Sequence, residues 1–212
     1  MINKHFFIYL AALLCLICLA AGVGFYYVKY DRTQTRPQIE GLLWPNPKRL
    51  QAFTTTDLNG KAFGLEQLRG KWSFLFFGYT HCPDVCPLTL AVLNNFLNHE
   101  KGKYKDLQVA FVTVDPDRDS RQRLKKYVNY FNPGFIGLRG NIAQIKGLAG
   151  QLGVAFSYGK KSRDGSYTVN HSAAIFLIDP KGREVAVFTA PHQVDSIKER
   201  YKMIRDFIDN QS

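Results

Sequence analysis

Acidic residues are scarce in this sequence: 17 Asp and Glu stand against 28 Lys and Arg over 212 residues, a formal net charge of +11. All but one of the cations follow residue 28, so the excess lies on the body of the chain. Such a balance suits an acidic partner or a lipid headgroup surface. Nucleic acid is set aside, because basic and aromatic residues do not interleave along any probable groove. Cysteine is scarce too, four in all, which excludes a disulfide-framed fold. Repeats and low-complexity tracts are missing. At 46% hydrophobic and 14% aromatic the chain can bury a core, which excludes disorder. Its length accommodates one folded domain with modest extras.

One long apolar run is present. From Phe6 to Val28 there are 23 residues without a formal charge, enough helix at ~1.5 Å per residue to span a ~30 Å hydrocarbon core. A single transmembrane anchor is therefore expected over 1–28, with Tyr26, Tyr27 and Tyr30 as an interfacial belt. The rival is a cleaved signal peptide, suggested by Ala20, Ala21 and Gly22, but secretory apolar regions run only ~7–15 residues. Cys15 and Cys18 fall inside the run and read as small apolar side chains. Lys29, Arg32 and Arg36 tilt the positive-inside count towards a cytoplasmic body. Long domains translocate largely regardless of charge, and the thiol chemistry below fits an oxidising compartment, so the body is expected outside the cytosol. Residues 29–48, with Pro37, Pro45 and Pro47, read as an extended linker, and 49–212 as the folded domain.

Within that domain, Phe53 to Phe63 around Asn59-Gly60 predicts a hairpin. Trp72 to Tyr79 is a nearly continuous apolar run, as in a strand buried on both faces. Helical spacing follows in Pro87–His99, then a strand Val109–Val114, a helix through Leu124, Val128 and Phe131, a short strand Phe135–Leu138, and a helix through Ile145, Leu148 and Leu152. Strands Ala173–Ile178 and Glu184–Phe188 flank the turn Asp179-Pro-Lys-Gly182, and a last helix carries Val194 to Ile208. Parallel βαβ units with a ββα ending predict an α/β thioredoxin-like sheet with flanking helices.

The chemistry concentrates in Gly78-Tyr-Thr-His-Cys82-Pro-Asp-Val-Cys86-Pro87, at the carboxyl end of a central strand and the start of a helix. Cys86 is expected at the helix N-terminus, where the dipole favours a thiolate. Four residues apart, the two sulfurs can form a disulfide or grip one ion. Of five histidines, His5 borders the membrane run, and His99 and His192 are expected on solvated helix ends. His81 adjoins Cys82, and neighbouring residues seldom bind one ion together. His171 precedes a strand in a loop able to fold back over the strand ends, where a structural role and a ligand role are equally open. Asp115-Pro-Asp117-Arg118-Asp119 reads either as a capping turn with an internal ion pair or as a support for the cysteine loop.

Three ordered motifs, the cysteine segment, Val-Asp115-Pro-Asp-Arg-Asp119, and Val-Asn-His171-Ser ahead of Leu-Ile-Asp-Pro-Lys-Gly, strongly resemble the SCO/SenC family of copper chaperones from about Phe53 to Ile208. The resemblance implies copper, as Cu(I) or Cu(II), on Cys82, Cys86 and His171. It also implies a role in metallating the dinuclear copper site of cytochrome c oxidase subunit II or another copper protein, with an upstream copper donor as a second partner. Asn170 stands where the family usually has Asp, which removes a negative charge near the metal. Two other classes stay open: a thiol-disulfide oxidoreductase with Cys82 and Cys86 as catalytic residues, and a redox sensor. A distant imidazole discriminates, since disulfide exchange does not need one. An early apolar helix without an Arg-rich presequence points to a bacterial inner membrane, single-pass, with the domain in the periplasm.

Overall fold

The computed structural model describes residues 4–34, 38–100 and 102–211. In chain order its elements are α1 (Lys4–Gln34), β1 (Lys48–Arg49), β2 (Thr54–Thr56), β3 (Ala62–Gly64), α2 (Leu65–Leu68), β4 (Trp72–Gly78), α3 (Val85–His99), β5 (Leu107–Thr113), α4 (Arg121–Phe131), β6 (Ile136–Leu138), α5 (Ile142–Gln151), β7 (Phe156–Tyr158), β8 (Val169–His171), β9 (Ile175–Ile178), β10 (Arg183–Phe188) and α6 (Val194–Asp209). The chain divides into two units, 1–38 and 39–212.

In the first unit α1 is one helix, longer than the apolar run it contains. The side chains of 6–8, 10, 11 and 28, part of the expected span, lie outside the described residues. Among the described residues no helix is long and apolar enough to cross a membrane.

In the second unit six strands form one sheet in the order β1-β10-β9-β4-β5-β6. The β4, β5 and β6 strands are parallel, joined through α3 and α4, while β9 returns antiparallel beside β4 and β10 pairs antiparallel with β9. This is the thioredoxin-like order expected from the hydrophobic pattern. All seven residues of β4 are buried, because the strand is paired on both sides and covered on both faces. Alternation sends Trp72, Phe74 and Phe76 to one face. There Phe74 meets Phe96 of α3 and Tyr201 of α6, and Phe76 meets Phe111, which in turn contacts Tyr127 of α4. Phe77 packs edge-on against Phe176 on the other face. Burying an aromatic side chain of this size contributes about 1.5–3 kcal/mol each.

The expected hairpin forms as β2 and β3, pairing Thr55 with Phe63, with Gly60 at φ +81° in its turn. The linker expected over 29–48 is a correction. Residues 29–34 continue α1, and the stretch from Ile39 packs on the body: Leu42 bridges Ala186, the Leu43 N–H donates to Val185 O at 2.8 Å, and β1 pairs with β10. Buried Leu42 explains the attachment, since an apolar side chain gains more from the sheet edge than from solvent. A further hairpin, β7 with β8, was not anticipated by the sequence pattern.

Gly78 ends β4 where the backbone turns into the cysteine loop. A Cβ built there would stand 2.7 Å from Cys86 Sγ and 2.7 Å from Phe111 Cε2. Both neighbours are fully buried, so neither can swing aside. Gly78→Ala is expected to destabilise the fold by about 1–3 kcal/mol through overpacking, read from the urea denaturation midpoint. An unchanged midpoint would mean that Phe111 and Cys86 yield without cost.

Candidate metal centre

Cys82 lies in the loop leaving β4, and Cys86 in the first turn of α3, which starts at Val85 after the N-cap Asp84. Pro87 fits the first helical turn, where an N–H has no helical partner. His171 reaches the pair from the other end of the chain, as the last residue of β8 rather than from a loop. The ligand atoms of Cys82, Cys86 and His171 all lie within 4.8 Å of one another, the one group of three or more such side chains among the described residues. The structure therefore brings together all three candidates. His5 lies where side chains are not described, and His99 is exposed in the last turn of α3.

The imidazole is oriented by the backbone. His171 Nδ1 donates to the Ser172 carbonyl oxygen at 2.9 Å, which fixes the tautomer and leaves the Nε2 lone pair facing Cys86 Sγ at 3.3 Å. The Phe76 and Tyr79 rings wall the imidazole, the latter edge-on at 5.8 Å. Neighbouring Asn170 is exposed, as strand alternation requires when His171 turns inward.

The two thiols are unequal. The Cys82 thiol is pulled down to about 4 by the hydrogen bond it accepts from Cys86, against burial, with further help from the backbone N–H groups of Asp84 and Cys86. Cys86 is pushed far above the ordinary thiol range, first by holding that bond to Cys82 and then by burial. The expectation that the helix N-terminus would make Cys86 the thiolate is thus corrected. Cys86 is fully buried whereas Cys82 retains 9% exposure, and the bond Cys86 gives to Cys82, followed by desolvation, outweighs the dipole at the inner position.

The loop is held by Asp119, a carboxylate with no exposure at all. It accepts from Thr80 N at 3.0 Å, from Thr80 Oγ1 at 2.6 Å and from Thr113 Oγ1 at 2.5 Å. His81 is turned away from the thiols: its Nδ1 faces Asp119 at 3.6 Å, and Arg123 donates to its Nε2 at 2.8 Å. Four residues upstream, Asp115 pairs with Arg118 and accepts from the Tyr167 hydroxyl at 2.8 Å. The Arg118 guanidinium stacks 3.5 Å from the Tyr167 ring and donates to Tyr167 O at 2.8 Å. Tyr158 OH donates to Val114 O at 2.7 Å. Both readings of the 115–119 segment therefore hold: it is an ion-paired turn, and it ties down the cysteine loop and the histidine hairpin together.

Sequence reasoning missed His192. Instead of sitting on a solvated end it is half-buried, its Nε2 donates to Ala173 O at 2.7 Å, and burial lowers its pKa. It braces the chain two residues beyond His171 from the far side. Only its closeness to the end of a buried strand hinted at this.

Two soft sulfurs and one imidazole nitrogen, with no carboxylate among them, form a donor set for a soft or borderline ion. The unequal thiols give a direct check. Alkylation of the metal-free reduced chain should proceed at Cys82 through a half-maximum near pH 4 and then level off, whereas an ordinary cysteine keeps gaining rate up to about pH 8.5. Cys86 should stay unmodified until the protein unfolds. A rate that climbs steadily from pH 5 to pH 8 would reject the thiolate assignment.

The family model described as SCO1/SenC matches residues 45–206. The chain is 33% identical over 195 residues to an SCO2-like protein of Rickettsia felis, covering 90% of this chain and 95% of that one. Its fold is similar to that of Bradyrhizobium japonicum ScoI with copper bound, at 34% identity and TM-score 0.66 over 74% of this chain and 98% of the other. It is equally similar to yeast Sco1 with copper bound, at 34% identity and TM-score 0.67 over 75% of this chain and 88% of the other. With most of its length matched by the family model and its fold shared with these structures, the chain belongs to the SCO1/SenC family.

Proposed function

We propose that this protein is a membrane-anchored copper chaperone whose cargo rides on Cys82, Cys86 and His171 and passes to the dinuclear copper site in subunit II of cytochrome c oxidase, after loading by an upstream donor. The observation that carries this reading is the convergence of two thiols and an inward-facing imidazole lone pair within 4.8 Å. Thiolates select Cu(I), and the imidazole keeps Cu(II) accessible. Copper in the structures of relatives 34% identical supports the choice of metal. Three donors leave a side on which an incoming ligand can attack, as a metal donor requires and a closed structural site avoids.

The reduced full chain is expected to retain one copper per molecule after dialysis. Cys82→Ser and Cys86→Ser should each abolish retention, and full stoichiometry in Cys82→Ser overturns the assignment. His171→Ala should weaken Cu(II) binding more than Cu(I) binding, because two thiolates suffice for Cu(I). Equal losses reject that division of labour.

A thiol-disulfide oxidoreductase is the second reading, favoured by one observation: an outer thiolate at Cys82 backed by a buried, protonated Cys86 suits attack followed by resolution. The same His171→Ala variant separates the two, since disulfide exchange should survive it.

The anchor belongs to this proposal as well. Residues 6–28 carry no formal charge, they lie in one helix, and the large apolar side chains described along it, such as Leu13, Leu16, Ile17 and Leu19, are exposed. Lipid is the environment that buries such a surface. The body then lies in the periplasm of a bacterial inner membrane. Alkaline phosphatase fused after Ser212 should be active in cells, and activity instead from a fused reporter that works only in the cytosol overturns the orientation.

A further inference from the structure

Beside α4 lies a cleft of about 760 Å³, lined among others by Thr80, Pro87, Arg123, Lys126, Tyr127 and Tyr130. Thr80 and Pro87 belong to the loop and helix start that carry the two cysteines, so whatever lodges in the cleft lies against the thiol site. The opposite wall is α4, whose Arg123 and Lys126 line the cleft, while Arg121 and Lys125 stand on the same helix outside that lining, and the helix bears no acidic residue. Among the described residues none of the four is in an ion pair with a carboxylate. Arg123 is already oriented by its bond to His81, so little side-chain freedom remains to be lost on binding. Tyr130 is 83% exposed beside these cations, and it is a residue type enriched at protein interfaces.

Four unneutralised cations on one helix repel one another and attract an anionic surface. A bilayer fits poorly. The apolar residues Leu124 and Val128 of α4 are buried in the core, whereas a helix that lies on lipid turns a broad apolar face outward. The floor of the cleft is also concave and continuous with the cysteine loop.

We propose that the α4 cleft docks an acidic surface of the protein that receives copper, bringing the recipient's ligands up to Cys82, the outer of the two thiols. The inference rests on the copper-transfer reading for the identity of that partner. Transfer is then a ligand exchange: two recipient sulfurs replace Cys82 and Cys86 on Cu(I), the bond from His171 opens as they arrive, and the ion keeps its oxidation state. The two protons that the recipient thiols lose pass to the released cysteine sulfurs or to solvent.

The test uses the full chain in phosphatidylcholine nanodiscs, reduced and copper-free, with fluorescein-labelled decaglutamate as the probe at about 10 mM salt, where screening is weak. Lys125→Glu/Lys126→Glu is compared with Lys71→Glu/Lys146→Glu, an equal charge change at exposed positions elsewhere. The first pair should weaken binding about tenfold or more and the second less than about threefold. Equal losses, no loss, or absence of binding by the unmodified chain overturns the proposal. Preferential capture of phosphatidylglycerol vesicles, abolished by the first pair, overturns it in favour of lipid. A second arm loads the chain with Cu(I) and offers two dithiol peptides, one flanked by Glu and one by Lys. The Glu-flanked peptide should fill about tenfold faster, an advantage lost in Lys125→Glu/Lys126→Glu. If decaglutamate docks but neither peptide takes copper, the transfer reading falls and the docking site stands. Equal filling of both peptides, unaffected by the charge reversal, sinks the docking site alone.

Discussion

The placement of the thiols depends on a buried carboxylate. Asp119 has no exposure, and a charge in that position is tolerable only when its oxygens are satisfied. Thr80 and Thr113 do this from the ends of two adjacent parallel strands. Hydrogen bonds to a charged group contribute about 1.5–3 kcal/mol each, so the loop that starts at Thr80 is clamped to the sheet before it reaches Cys82. The same five-residue turn, through Asp115 and Arg118, holds the Tyr167 end of the hairpin that delivers His171. Donors separated by 85 residues in sequence thus share one mechanical reference.

That arrangement also explains why the sheet order matters to the site. The β4 and β5 strands run parallel and end together, with Gly78 opposite Thr113, so the cysteine loop and the 115–119 turn leave the same edge side by side. The β9 strand lies on the other flank of β4, and the chain just before it carries His171. The site is built where three strand ends meet, which is where open α/β sheets bind their ligands. His192 adds a brace from beyond β10.

Much of this was legible in the sequence, and the exceptions have physical causes. Trp72 to Gly78 announced itself because a strand buried on both faces needs an unbroken apolar run. Cys82 and Cys86 stood out by their spacing before a helix. By contrast, β7 and β8 are three residues each, too short for alternation to show, and a polar stretch separates them, so His171 looked like a loop residue until the hairpin was seen. Leu42 was hidden among prolines and charges, which made a packed strap resemble a free linker. The ranking of the thiols was misread because the helix dipole can be inferred from sequence, whereas the bond to Cys82 and the burial that override it at Cys86 are tertiary properties.

The sharing of a hydrogen bond between Cys82 and Cys86 has a consequence for proton stoichiometry. A metal ion held by both sulfurs needs both deprotonated. With the Cys82 thiol held low by the bond it accepts from Cys86, uptake at neutral pH expels fewer protons than two ordinary thiols would. The apparent affinity of the site therefore falls less steeply with acidity than that of two independent ordinary thiols. A compartment whose acidity drifts with its surroundings thus perturbs the loading of this site far less than that of a pair of unlinked cysteines.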